Sequence, residues 1–115
     1  VQIINKTNNS IISTNAQLAD TVISRLVGLL NRAKIDSQEA LIITHCRSIH
    51  MFFMRFAIDA IFVDKNNTVV GLVKNIKPFM MSPYFFRSSY VIELPSGKIE
   101  ATQTKTGDSI VFEEK

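Results

Sequence analysis

The chain predicts a mainly β domain, α+β by content, built as a jelly-roll-like sandwich or partly closed barrel of short strands with one packed helix near residues 20–33. Three observations carry this. Short β-branched or apolar runs recur along the chain, separated by turns rich in Asn, Asp, Ser, Gly or Pro. One stretch has helical spacing: Val22, Ile23, Leu26, Val27, Leu29, Leu30 and Ala33 recur at three- and four-residue intervals. And Phe62-Val63-Asp64-Lys65-Asn66-Asn67-Thr68-Val69-Val70 reads as two β-rich runs around a tight turn, with Asn tolerating the positive φ such turns need.

Each element follows from local chemistry. Val1–Ile4 and Ile11–Ser13 are short strands joined by the polar turn Asn5–Ser10. Asp20 or Thr21 offers an N-cap for the helix over 20–33, in which Gly28 either weakens the interior or permits a close neighbour. Ala40–Ile43 is a continuous apolar run of a length that suits a buried strand. Ile49–Phe56 reads as a loop and short strand. Ile58–Val63 is a strand, and the strand after the hairpin turn runs about Thr68–Lys74. Pro78 and Pro83 bracket Phe79–Ser82 and disfavour a central strand, so this segment reads as a loop rich in large apolar groups. Ser89–Leu94 is a strand, Pro95–Lys98 a turn, Ile99–Lys105 a short helix, Gly107-Asp108 a turn and Ser109–Phe112 a final strand.

Composition bounds the function. The 115 residues are expected to form one domain, 1–115, and the 46% hydrophobic content argues against disorder. Thirteen basic and ten acidic residues leave +3, scattered without a like-charge run, which argues against nucleic acid as partner. A single cysteine excludes an internal disulfide. No apolar run approaches the roughly 18 residues of a membrane span. The sequence leaves the compartment open between the cytoplasm and, where an upstream signal has been removed, the periplasm or exterior. The expected partner is a small molecule or protein, with the chain a monomer or weak dimer and no cofactor.

Chemistry-bearing groups gather in Thr44–Asp64, which holds both histidines, the only cysteine, two of four methionines and four of eight phenylalanines. Thiolate, thioether and imidazole at Cys46, His50, Met51 and Met54 form a set compatible with copper(I), although the spacing is not that of a zinc site. The competing reading is that the methionines fill core gaps and the thiol is buried. A Cys46–His50–Asp59 triad is compatible with composition and requires base–thiol contact. If 45–47 is extended, His45 and Arg47 share one face and Cys46 takes the other. Asp59 interrupts an apolar strand and, by alternation, shares a face with Ile61 and Val63. Such a carboxylate either accepts hydrogen bonds from Arg25, Arg55, His50 or loop amides, or sits at a pocket rim. Glu93 presents a similar choice between a solvated face and a pairing with Arg25 or Arg47. The candidate ligand-binding set is therefore Arg25, Cys46, His50, Met54, Asp59 and Glu93. The favoured function is binding of a small ligand or partner in a pocket with His50, Met54 and Asp59, with Phe79–Phe86 as a flap. Copper binding through Cys46, His50 and Met54, and a Cys/His/Asp hydrolase-like enzyme, are the alternatives. A fourth reading makes the Pro78–Phe86 loop a protein-binding surface.

Several segments together resemble a known family. They are Arg25-Leu26-Val27-Gly28-Leu29-Leu30, Cys46-Arg47-Ser48-Ile49-His50-Met51-Phe52-Phe53-Met54, Ile58-Asp59 with Phe62 and Asp64, Pro78, Val91–Gly97 and Gly107-Asp108. In order and spacing, over roughly residues 15–113, they resemble the prokaryotic family known as domain of unknown function 192, or uncharacterised protein family 0127. The resemblance implies a mainly β sandwich or jelly roll carrying a helix, and implies no reaction. Members occur with and without export signals. This chain departs from the usual pattern at Met51, where a small hydroxyl residue is commoner, and at Leu30, where Met is frequent.

Overall fold

Among the described residues, eight strands and one short helix are arranged as two sheets and an inter-sheet core. The computed structural model describes residues 1–19, 35–51 and 55–114. In chain order the elements are β1 (Gln2–Asn5), β2 (Ser10–Ser13), β3 (Asn15–Ala19), β4 (Glu39–Thr44), β5 (Ile58–Val63), β6 (Val69–Ile76), β7 (Tyr90–Pro95), helix α1 (Lys98–Thr102) and β8 (Ile110–Glu113). The expected helix over 20–33 falls outside the described residues. The short helix expected after the Pro95–Lys98 turn is α1.

The sheets have strand orders β2-β1-β8 and β3-β4-β7-β5-β6. Neither order closes on itself among the described residues, so the mainly β expectation is met by two separate sheets. Strand β3 pairs with β4 in parallel, from Asn15 opposite Glu39 to Ala19 opposite Ile43. All other strand pairings among the described residues are antiparallel.

The alternation of β5 explains the layering. All six of its residues are buried. Ile61 and Val63 face the three-stranded sheet and join Ile3, Ile12, Ile42, Ile92, Leu94, Ile99 and Ile110 in the inter-sheet core. Ile58, Ala60 and Phe62 turn to the opposite face, where they pack with Ile43, Val91, Ile76, Ile49 and Met51. Both faces of the strand are therefore apolar, as its near-continuous hydrophobic sequence requires.

The hairpin between β5 and β6 forms at its expected place. The Asp64 carboxylate accepts the Asn66 and Thr68 amides at 2.9 Å each, and Asn67 takes the left-handed φ of 62°. Past β6, the residues from 77 to 89 return as an irregular ribbon beside residues 47–51. Its backbone bonds are Phe79 N–H to Met51 O at 2.7 Å, Met51 N–H to Met80 O at 2.8 Å, Ser82 N–H to Ile49 O at 2.8 Å and Phe85 N–H to Arg47 O at 2.8 Å. Of the extended piece expected in 49–56, residues 52–54 lie outside the described residues, and the described part carries an antiparallel bridge of His50 with Met81.

Candidate functional site

Asp59 meets the fate of a structural carboxylate. Its side chain turns to the inter-sheet face and is 1% exposed. The β5–β6 register slips around it: Ile58 opposes Ile76 while Ala60 opposes Val73, so Asp59 lies opposite two residues, a β-bulge. The bulge places Asn75 at φ 52° and directs its amide to Asp59 Oδ1 at 2.8 Å. Asp59 Oδ2 accepts the amides of Gly97 at 3.1 Å and Ile99 at 2.9 Å. Gly97 is the N-cap of α1 and has no side chain to cap with, so Asp59 supplies the cap from another strand. Gly97 holds φ +97°, a conformation that a Cβ would strain. The loop-amide alternative for Asp59 is thus the one the geometry realises, and the pocket-rim reading of this residue is corrected.

His50 stands in different surroundings. Ile49 and Met51 are buried on the far face of the five-stranded sheet, and His50 between them is exposed. The structure does not bring His50 and Asp59 to one lining: Asp59 faces the three-stranded sheet and α1, whereas Ile49 and Met51 flank His50 from the opposite core. In the expected triad, both oxygens of the orienter Asp59 already accept backbone amides. The Cys46 thiol lies 3.1 Å from the Ser48 carbonyl and partly packs against the second core cluster. Met51 is wholly buried, which answers to the gap-filling reading. Among the described residues no three His, Cys, Asp or Glu side chains gather in a metal-binding group. Glu93 is fully buried on β7, opposite Leu41 and Ala60, and engaged by an interaction within the fold. A solvated face is therefore not its setting. Arg25 and Met54 lie outside the described residues.

The loop from Pro78 to Phe86 is the most unusual surface. Phe79 (68%), Met80, Met81, Tyr84 and Phe86 (82%) are exposed, and Tyr84 and Phe86 meet edge to face with ring centroids 5.0 Å apart. The loop is nonetheless anchored. Ser82 Oγ accepts the Ile49 amide at 2.9 Å and donates to the Pro83 carbonyl at 2.9 Å. Phe85 turns inward onto Phe62, centroids 4.5 Å apart, over Gly71, where a Cβ would overlap its ring. Phe79 itself adopts φ 68°, an outlier for a bulky residue and a sign that its surroundings dictate the conformation. Lys77 and Arg87 flank the loop, and no acidic residue occurs from Lys65 through Ile92.

A second feature lies where β4 and β7 end. A groove of about 430 Å³ is lined by Thr44, His45, Arg47, Ser88, Ser89 and Tyr90. His45 turns to φ 54° and donates its amide to Ser89 O at 2.7 Å. The Tyr90 hydroxyl donates to Asn67 Oδ1 at 2.8 Å. Burial, with the nearby Asp64 carboxylate, pushes the Tyr90 phenol well above its usual range, so it stays protonated. His45 and Arg47 were placed together by the sequence only for an extended chain. They line one groove here although His45 is left-handed. The Thr44-x-x-Arg47 and Ser88-Ser89-Tyr90 segments carry no motif, so only β4–β7 pairing reveals them.

Among the described residues no helix is long and apolar enough to cross a membrane. The family model DUF192 (Uncharacterized ACR, COG1430) matches residues 3–112. A UPF0127 protein of Thermococcus sibiricus is 34% identical over 115 residues, covering 96% of this chain and 74% of the relative. A UPF0127 protein of Pyrococcus horikoshii is 33% identical over 111 residues, covering 94% and 96%. A crystal structure of a protein of unknown function from Novosphingobium aromaticivorans superposes with a TM-score of 0.80 at 20% identity, over 96% of this chain and 82% of that one, a likeness of fold alone. The family match spans nearly the whole chain and includes the β5, β7 and α1 segments described above: the chain belongs to the DUF192/UPF0127 family.

Proposed function

We propose that this domain is a recognition module that binds a short acidic and apolar segment of a partner protein on the Phe79–Phe86 surface. The observation that carries this reading is the exposure of five large apolar side chains on one anchored loop. An exposed apolar patch of this kind marks an interaction surface. The loop is held by backbone bonds and by Phe85, so little ordering cost remains to be met on binding. Aromatic and Met side chains are those that dominate interface energetics. Charge supports the choice of partner, since Lys77 and Arg87 frame a stretch without acids and complement a negative segment. His50, bridged to Met81, is the polar neighbour of this surface, and it is through His50 that the expected binding set enters the reading.

The test uses labelled peptides that alternate Asp or Glu with Leu or Phe, titrated by fluorescence anisotropy. Phe86→Ser and Phe79→Ser should each weaken binding at least about tenfold, the scale of an interface hot spot, without lowering Tm. Lys77→Gln with Arg87→Gln should flatten the salt dependence. Equal binding of a peptide with Lys in place of every acid, or no effect of either Phe substitution, would discard the reading.

A further inference from the structure

We infer that the groove between the end of β4 and the start of β7 is a separate site for a small organic anion, a phosphate ester or carboxylate gripped by Arg47. This goes beyond the loop surface and uses different residues. Strands β4 and β7 pair antiparallel up to Thr44 opposite Tyr90. Just past that pair, His45 leaves the extended conformation at φ 54°, and the chain turns off the line of the sheet. The space opened between 44–47 and 88–90 is about 430 Å³, within the range of small-molecule sites.

The hydrogen-bond inventory of that space decides the ligand class. Two of its groups are already committed as donors. Ser88 Oγ lies 2.7 Å from Cys46 O and 3.1 Å from Tyr90 O, and the Tyr90 hydroxyl donates to Asn67. The other residues that line the groove are Arg47, His45, Thr44 and Ser89, whose side chains are a guanidinium, an imidazole and two hydroxyls. Among the described residues Arg47 and His45 have no ion-pair partner, and no carboxylate lines the groove. Asp64 acts on Tyr90, and its Oδ1 accepts two backbone amides of the hairpin turn. A wall of donors with one fixed cation and no acid selects an oxyanion. The guanidinium fork matches a carboxylate or phosphate in two parallel bonds, which a lysine would not do. His45 adds to the argument, because a non-glycine residue held left-handed at the mouth of a cavity is the kind of strained position that concentrates at ligand clamps.

The experiment is NMR titration of the ¹⁵N-labelled chain with glucose 6-phosphate, citrate, glucose and spermidine. The expected result is saturable binding of the two anions, with amide shifts concentrated at 44–47 and 88–90, and no response to glucose or spermidine. A phosphate site answers to glucose 6-phosphate alone, a carboxylate site to citrate alone and a general oxyanion site to both. Each of these outcomes supports the inference and names the source. Arg47→Gln should weaken binding at least about tenfold, the usual cost of a lost hydrogen bond to a charged group. Arg47→Lys should recover only part of it, and Ser89→Ala should have a smaller effect. Arg47 is exposed, so these variants should fold, and unchanged thermal melts check that they do. Shifts spread over all lysine-bearing surfaces, an equal response to glucose, or indifference to Arg47→Gln would overturn the site. Phe86→Ser should leave anion binding intact and Arg47→Gln should leave peptide binding intact, so the two readings fail separately.

Discussion

Replacing Asp59 separates a structural carboxylate from a functional one. Its two oxygens accept three backbone amides, those of Asn75, Gly97 and Ile99. Asp59→Ala strands all three. Ile99 is buried, so its amide loses a partner that water cannot replace, at about 2 kcal/mol. Asn75 and Gly97 are exposed, and water recovers part of their loss, leaving about 0.5–1 kcal/mol each. The total is about 3–4 kcal/mol. Asp59→Asn retains one acceptor oxygen and sets an amide N–H₂ against a backbone donor, which costs about 2 kcal/mol. Unfolding entropy near 2.1 cal/mol/K per residue makes 3 kcal/mol a fall of about 12 °C in Tm for a chain of this length. Urea unfolding followed by circular dichroism reads the free energy directly, and the slope m should not change, because the native and unfolded surfaces are the same. A carboxylate kept for ligand contact behaves in the opposite way, since its removal leaves stability unchanged or raised. Both variants within about 0.5 kcal/mol of the natural chain would refute the assignment of Asp59 as the cap of α1 and clamp of the bulge.

Three further outcomes follow from the same packing. Phe85→Ala should cost about 2–3 kcal/mol in urea unfolding, toward the low end for a phenylalanine because the ring is half-buried, while Phe86→Ser should stay within about 0.5 kcal/mol. Gly71→Ala should destabilise by about 1–3 kcal/mol, because the new methyl must displace the Phe85 ring from Phe62; a neutral result would show that the ring moves freely. Tyr90 titrates higher when folded than when unfolded, so between the unfolded value near 10 and the folded one the native state holds the extra proton. Stability is then whole below pH 10 and falls as the pH rises above it. Tyr90→Phe should flatten that alkaline loss, and an unchanged slope in melts between pH 9 and 11 would count against the burial of the phenol.

How far the sequence could be read depended on where each signal resides. The β5–β6 hairpin was legible because Asp64 and Asn67 supply both its side-chain bonds and its positive φ within five residues. The two faces of β5 were legible from alternation alone. Strand β3 was not, since Asn15-Ala16-Gln17-Leu18-Ala19 has no β-branched residue and owes its conformation to pairing with β4 some 24 residues away. The loop aromatics could be named but not sorted. Phe85 and Phe86 are adjacent and chemically identical, and only the space above Gly71 draws one inward. Asp59 stood open between two readings because its partners, Gly97 and Ile99, are 38 and 40 residues distant. The groove left still less trace, being made by two strand ends that meet only once the sheet has formed.

Chemical-shift mapping with an acidic, apolar peptide bears most directly on the central claim, that the anchored Phe79–Phe86 loop is the partner-binding face. Saturable shifts confined to residues 77–87 and 47–51, abolished by Phe86→Ser, are the predicted result. Shifts centred on the outer strands β2 and β8, or none at millimolar peptide, would contradict it.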